Sequence, residues 1–253
     1  LMACPTPPTE RLDFVHRLSE EAEVGGTTFY LSAQELAGAP DEDGWNLLAL
    51  WDAAGPRWIY EALGVRITRR VAMAYGANTV AVQYTVENRS AAPCTLRVTP
   101  WLRFVPKGGR LTRRRSFLWR EGAVESGGLR LYYALENGRA AALPQRFETE
   151  RYRHDAPDGR PATGLCAAAG QFLFTAAPGA TAVFAVVFGL APALPAARTL
   201  LAAQARRRRA QAAAAGLKSP LGRALSAAAD AFLTRRASTG GMTIVAGYPF
   251  FAD

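Results

Sequence analysis

The chain has 253 residues, 49% hydrophobic and 20% charged, enough to bury a large core and too apolar for a disordered segment. Its three cysteines, Cys4, Cys94 and Cys166, are odd in number and far apart, which argues against a disulfide framework or a Cys-x-x-Cys metal site and suits a reducing cytoplasm. The net charge is +9, yet 28 of the 30 basic residues are arginines scattered through an Ala-, Gly- and Pro-rich chain, a bias of composition as much as a binding surface.

Residues Leu1 to Pro8 carry neither the basic nor the apolar region of a signal peptide. From Phe172 to Ala197 no residue is charged, long enough on paper for a membrane span. Pro178-Gly179, Pro192 and Pro195 divide that stretch into pieces rich in Val and Phe. Two buried strands joined by a turn are expected there, and no membrane partner.

In chain order, 12–18 and 27–31 read as strands separated by the acidic Glu20-Glu21-Ala22-Glu23 and the turn pair Gly25-Gly26. Asp41-Glu42-Asp43-Gly44 reads as a solvated turn before 45–51. Between Trp58 and Glu87 apolar residues recur at intervals of two, through Val65, Ile67, Val71, Val80, Val82, Tyr84 and Val86, with Gly76-Ala77-Asn78 as a turn. Strand follows strand through Thr95–Phe104 and Leu129–Leu135, the pattern of a large antiparallel sandwich. The polar stretch 148–163 reads as an excursion off the sheet, and 171–175 and 181–188 as its last strands.

At Pro195 the pattern changes to an alanine-rich helix reaching about Ala215, with Arg206-Arg207-Arg208-Arg209 inside it. Four consecutive helical positions sweep about 300°, so they form no single basic face, and a solvated linker helix is expected. Ser219-Pro220, an N-cap and a first-turn proline, opens a second helix near 220 to 236 with Leu221, Leu225, Ala228, Ala229, Phe232 and Leu233 on one stripe. The fold expected is mainly β: a sandwich over 1–194, a linker helix within 195–219, and in 220–253 the incomplete start of a second domain.

No paired carboxylates of the kind glycoside hydrolysis needs are evident. Glu148 and Glu150, beside Arg151 and Tyr152, are candidates for a pocket rim. His16 and His154 stand near no Ser or Cys nucleophile motif, and no Gly-rich phosphate loop follows a strand, so no cofactor or metal is expected. Trp45, Trp51, Trp58, Trp101 and Trp119 suit either sugar-stacking platforms or strand cores, the core being commoner. At the end of the chain Tyr248, Phe250 and Phe251 combine with Asp253 in a Gly- and Pro-constrained segment. An aromatic wall with a carboxylate suits a glucose subsite, and aromatic packing of a helix pair is the alternative.

The run Thr243-Ile244-Val245-Ala246-Gly247-Tyr248-Pro249-Phe250-Phe251-Ala252-Asp253 resembles the opening of the catalytic domain of bacterial and archaeal glycogen debranching enzymes, the amylo-α-1,6-glucosidases. Phe250 stands where that family has Trp, and Ala252 where it has Gly. The stretches Gly55-Pro56-Arg57-Trp58-Ile59-Tyr60-Glu61 and Gly76-Ala77-Asn78-Thr79-Val80 are similar to its N-terminal region.

The resemblance implies a β-supersandwich, a linker helix and the first helix of an (α/α)6 toroid, whose catalytic carboxylates lie beyond Asp253. It implies a cytoplasmic, non-catalytic N-terminal part of a glycoside hydrolase that supports an α-glucan site for α-1,6-glucosidic hydrolysis, with Tyr248, Phe250, Phe251 and Asp253 binding substrate. The family's opening signatures are missing, which points to a fragment or a split gene product. Without a barrel to cover it, the segment 220–253 is expected to self-associate. No nucleic-acid partner is expected; the rival reading, motivated by the net charge and Arg206–Arg209, is a stand-alone basic domain for polyanions or nucleic acid.

Overall fold

The computed structural model describes residues 1–52 and 55–244. In chain order its strands are β1 (Met2–Ala3), β2 (Leu12–Val24), β3 (Thr27–Tyr30), β4 (Ala33–Gln34), β5 (Glu42–Asp43), β6 (Leu48–Asp52) and β7 (Arg57–Ala62). There follow β8 (Val65–Met73), β9 (Thr79–Asn88), β10 (Cys94–Pro106), β11 (Leu118–Arg120), β12 (Ala123–Ser126) and β13 (Leu129–Glu136). The sandwich ends with β14 (Arg139–Arg151), β15 (Thr163–Ala176) and β16 (Thr181–Gly189), before helices α1 (Ala197–Ala214) and α2 (Pro220–Asp230) and the short strands β17 (Leu233–Arg235) and β18 (Met242–Ile244).

Two antiparallel sheets carry the fold. The first has the order β1-β2-β10-β15-β14, with β3 also on β2, and the second the order β11-β12-β13-β16-β9-β8-β7-β6. Because side chains alternate, each strand sends every second residue inward, and Phe14, Leu96, Phe172 and Phe174 of the first sheet join Tyr84, Val86, Phe184 and Phe188 of the second in one core. Aromatic rings bridge the layers: Phe172 lies 5.8 Å from Phe188 and Phe174 lies 5.2 Å from Phe184, centroid to centroid.

Three sequence expectations are corrected by pairing. The acidic run after Leu18 is the second half of β2: Glu20 points into the sandwich, while Arg97, opposite Glu21 on β10, spans Glu21 at 2.8 Å and Glu23 at 2.5 Å. The polar stretch from Glu148 is strand as far as Arg151, which pairs with Thr163, so only the loop between them leaves the sheet. The second helix stops at Asp230 because Leu233–Arg235 is drawn into a hairpin with Met242–Ile244, where Thr234, Thr243 and Ile244 are β-branched.

Helix α1 lies on the outer face of the second sheet, where Ala197 and Leu200 pack with Ala72, Ala81, Ala185 and Val187. Small side chains on both surfaces let the helix approach closely. The Ala197 N–H donates to Glu136 Oε1 at 2.7 Å, an anion at a helix N-terminus. Arg207, from the four-arginine run, pairs with Asp230 of α2 at 2.5 Å and stacks 3.3 Å from the centre of the Tyr75 ring. Ser219 caps α2 by accepting from Gly222 N–H at 3.0 Å, but α2 has no buried residue. Among the described residues no helix is long and apolar enough to cross a membrane.

Candidate functional site

The outer face of the first sheet carries the densest polar chemistry of the described chain. Its centre is Arg17 on β2, opposite Trp101 on β10 in the strand register. Arg17 Nε donates to Glu150 Oε1 at 2.7 Å, Nη1 donates to both oxygens of Glu42 at 3.1 and 3.0 Å, and Nη2 pairs with Glu148. The guanidinium also lies over the Trp101 indole, 5.1 Å from its centre, as does that of Arg146.

Glu148 and Glu150 are two residues apart on β14 and so share this face. Glu150 is the more tightly held. It accepts from Tyr152 OH at 2.9 Å and meets His16 Nε2 at 2.8 Å, while His16 Nδ1 lies 2.7 Å from Asp13. Cys166 Sγ sits 3.6 Å from Glu150 Oε1.

Glu42 arrives from a different part of the chain. Residues 31–47 leave the β3 edge, cross this face and reach the far edge of the sheet, where Leu36 bridges Glu150, Ala37 N–H donates to Thr149 O and Arg151 N–H donates to Glu35 O. The two-residue pairing of β4 with β5 and the Gly44 N–H to Ser32 O bond at 3.0 Å hold this arm in shape. Gly44 is required there, because any Cβ would collide with the Leu31 backbone. Glu42, read from the sequence as part of a solvated turn, is thereby buried, and so are Trp101 and Cys166 beneath the arm.

Burial and pairing pull the two glutamates apart. Burial opposes ionisation of both. At Glu150 the His16, Tyr152 and Arg17 donors outweigh it and lower the pKa to about 2, whereas at Glu148 burial wins and the pKa rises. His16 is likewise opposed by burial, but its bonds to Asp13 and Glu150 carry it to about 9. Burial pushes the Cys166 thiol up, with Glu150 adding to the effect, so it is no thiolate nucleophile at neutral pH. A split between neighbouring carboxylates often marks an acid and a base. Here Arg17 engages both and the arm lies over them, so the cluster's chemistry is to fasten the arm to the sheet.

A cavity of about 770 Å³ opens beside the arm, lined by Asp41, Asp43, Trp45, Arg151, Tyr152 and His154 among others. Glu148 and Glu150 do not line it; they lie behind its wall. Arg151 and Tyr152 do line it, and Tyr152 is placed by Gly164, where a side chain would strike its ring. Sequence reading missed Arg17, His16 and Glu42. The signal for part of the cluster was the alternation of Arg17 with Ser19 and of Glu148 with Glu150, which puts each pair on one face of its strand. The candidates Tyr248, Phe250, Phe251 and Asp253 lie outside the described residues.

With the sandwich and this face in view, comparison with known families is decisive. The family described as glycogen debranching enzyme N terminal matches residues 1–183. The chain belongs to that family. The match takes in both sheets, ends inside β16 and stops short of α1 and α2. The matched residues of this chain therefore lie in the sandwich and include the buried Arg17 cluster on its outer face. No curated protein matches the chain. Among solved structures it is similar to a polysaccharide lyase, at 13% identity and a TM-score of 0.36 over 73% of this chain, a likeness too loose to carry chemistry. The chain spans about a quarter of that lyase, which it covers to 26%.

Proposed function

We propose that this chain is the non-catalytic N-terminal part of a glycogen debranching enzyme-like glycoside hydrolase, shaping an α-glucan site whose α-1,6-hydrolysing carboxylates belong to a downstream helical barrel. The single observation that carries the reading is the family match across residues 1–183. The Arg17 cluster is consistent with it, since its carboxylates are committed to holding the arm. In this reading the sandwich occupies 1–194, α1 is the linker helix, and 220–253 begins the barrel, whose further helices would cover Leu221 and Leu225. Tyr248, Phe250, Phe251 and Asp253 are assigned to the glucan site at that junction.

The test is glucose release from a branched α-limit dextrin, by the chain alone and by the chain joined to the barrel. Alone it releases none; joined, it releases glucose. Hydrolysis by the chain alone overturns the reading, as does a barrel equally active with the sandwich removed.

A further inference from the structure

The sandwich is open at one end, where the second sheet reaches its free edge. Strand β6 forms that edge, and Leu48, Leu50 and Trp51 are all exposed, so neither face of the strand is covered by another layer. The register across the sheet places Trp51 opposite Trp58, Trp58 opposite Arg69, and Arg69 opposite Tyr84. One row of side chains thus runs from the wet edge to the core, because directly paired residues share a face.

The inner end of this row is charged and fixed. Arg69 stacks 4.5 Å from the centre of the Trp58 ring and pairs with the fully buried Glu20, which also accepts from Tyr84 OH at 2.5 Å. Arg69 Nε is buried with no hydrogen-bond partner, an unused donor in the wall. The space in front of it, about 430 Å³, is bounded by Trp58, Tyr60, Gln34 and Trp45. Trp45, with Gln34 and Glu42, also lines the 770 Å³ cavity described above, so the two spaces adjoin. Both volumes fall in the range of about 300–1,000 Å³ typical of small-molecule sites.

Trp45 is 68% exposed and Trp51 is 60% exposed. An indole left in water on a floppy loop is unremarkable, but Trp45 follows Gly44, which is clamped against Leu31 and Ser32. The backbone at Trp45 is thus held in place, and its exposed indole offers a flat apolar surface in a lining that also holds Gln34, Asp41 and Asp43. Sugars require that combination, since one ring face is apolar and the hydroxyls around it bond well to ionised acceptors. In the larger cavity five carboxylates stand against Arg151 and Arg153, a balance that disfavours an anionic ligand.

We infer that the mouth of the sandwich, centred on Trp45 and Trp58, is a carbohydrate subsite that binds a neutral oligosaccharide. The choice of an α-glucan as its ligand rests on the function proposed above; the exposed Trp45 surface and its polar neighbours do not. The subsite lies on the N-terminal sandwich itself, apart from the terminal Tyr248–Asp253 segment, and would hold an outer branch of a glucan.

Isothermal titration of the full chain with maltoheptaose, and separately with cellohexaose, tests it. Saturable maltoheptaose binding is expected, weakened at least tenfold in Trp45→Ala and largely kept in Trp45→Phe. Circular dichroism checks each variant, and if Trp45→Ala does not fold, Asp43→Asn, altered at an exposed carboxylate, takes its place with a weakening of about threefold expected. Binding of cellohexaose alone through Trp45 keeps the subsite and overturns the α-glucan as its ligand. No saturable binding of either sugar, or equal affinity in wild type and the variants, overturns the subsite and leaves the debranching reading to the limit-dextrin assay.

Discussion

His16 Nε2 lies 2.8 Å from Glu150 Oε2, joining β2 to β14 across the two strands that separate them in the sheet. This contact contributes to the pH dependence of the fold. His16 ordinarily titrates at 6.5 and is raised to about 9, so its contribution is full below pH 6.5 and is lost as pH climbs through 9. Glu150 is lowered from 4.5 to about 2, so its contribution is full above pH 4.5 and is lost as pH falls through 2. Glu148, raised by burial, has the opposite sign and makes the acid limb shallower. Together the two groups favour the fold most between pH 4.5 and 6.5, while the Leu1 amino group, lowered by burial from 8.0 to about 6, costs stability as pH falls from 8 to 6. Thermal unfolding across pH should show His16→Gln flattening the alkaline limb. An alkaline limb unchanged in that variant would sink the assignment.

Arg17 faces Glu42, Glu148 and Glu150 together, and removing it strands three carboxylates with little solvent access. Loss of one partner from a buried pair costs about 3–5 kcal/mol, so Arg17→Ala is expected to lower the unfolding free energy by that order. The exposed pair of Arg89 with Glu87 supplies the contrast, and Arg89→Ala should change stability by less than about 1 kcal/mol. Urea denaturation of both variants decides it, and equal effects would show that the Arg17 cluster is not the fastening the geometry indicates.

Gly44 and Gly164 are close-approach glycines, one against the Leu31 backbone and one beneath the Tyr152 ring. Overpacking of this kind costs about 1–3 kcal/mol. Gly44→Ala should loosen the arm, releasing Glu42 from Arg17 and exposing the backbone of 41–47 to faster hydrogen exchange. Gly164→Ala should act at Tyr152 and leave 41–47 protected. Identical exchange patterns in the two variants would contradict the separate roles.

The strands from Trp58 to Glu87 were legible because one face is wet and the other buried, so apolar residues alternate. The second half of β2 and the end of β14 were not. Their outward residues, Glu21, Glu23, Glu148 and Glu150, are charged and look like loop until Arg97 and Arg17 are placed beside them in space. Glu42 failed for the same reason, since nothing local in Asp41-Glu42-Asp43 announces a partner on β2. The tryptophans divided. Trp101 is buried, and Trp58 and Trp119 pack partly against the core, but Trp45 and Trp51 stand in solvent at an edge whose position depends on strand order, which local periodicity does not encode.

Helix α2 and the β17–β18 hairpin present Leu221, Leu225, Phe232, Leu233, Met242 and Ile244 as exposed apolar side chains. Leu221 and Leu225 are four residues apart and lie on one helix face, 69% and 60% exposed. Burying such side chains is worth roughly 1.5–3 kcal/mol each, so residues 1–253 by themselves gain by pairing with a second copy through this surface. Among the described residues, Arg207 with Asp230 and the Ala237 N–H to Pro7 O bond tie this segment to the rest of the molecule. Sedimentation of the full chain is expected to show concentration-dependent dimers, and deletion of 220–253 is expected to leave a folded, monomeric sandwich. Leu221→Glu with Leu225→Glu should have the same effect without removing any backbone. A full chain that stays monomeric at high concentration, or a deletion that unfolds the sandwich, would overturn this assignment of the 220–253 surface.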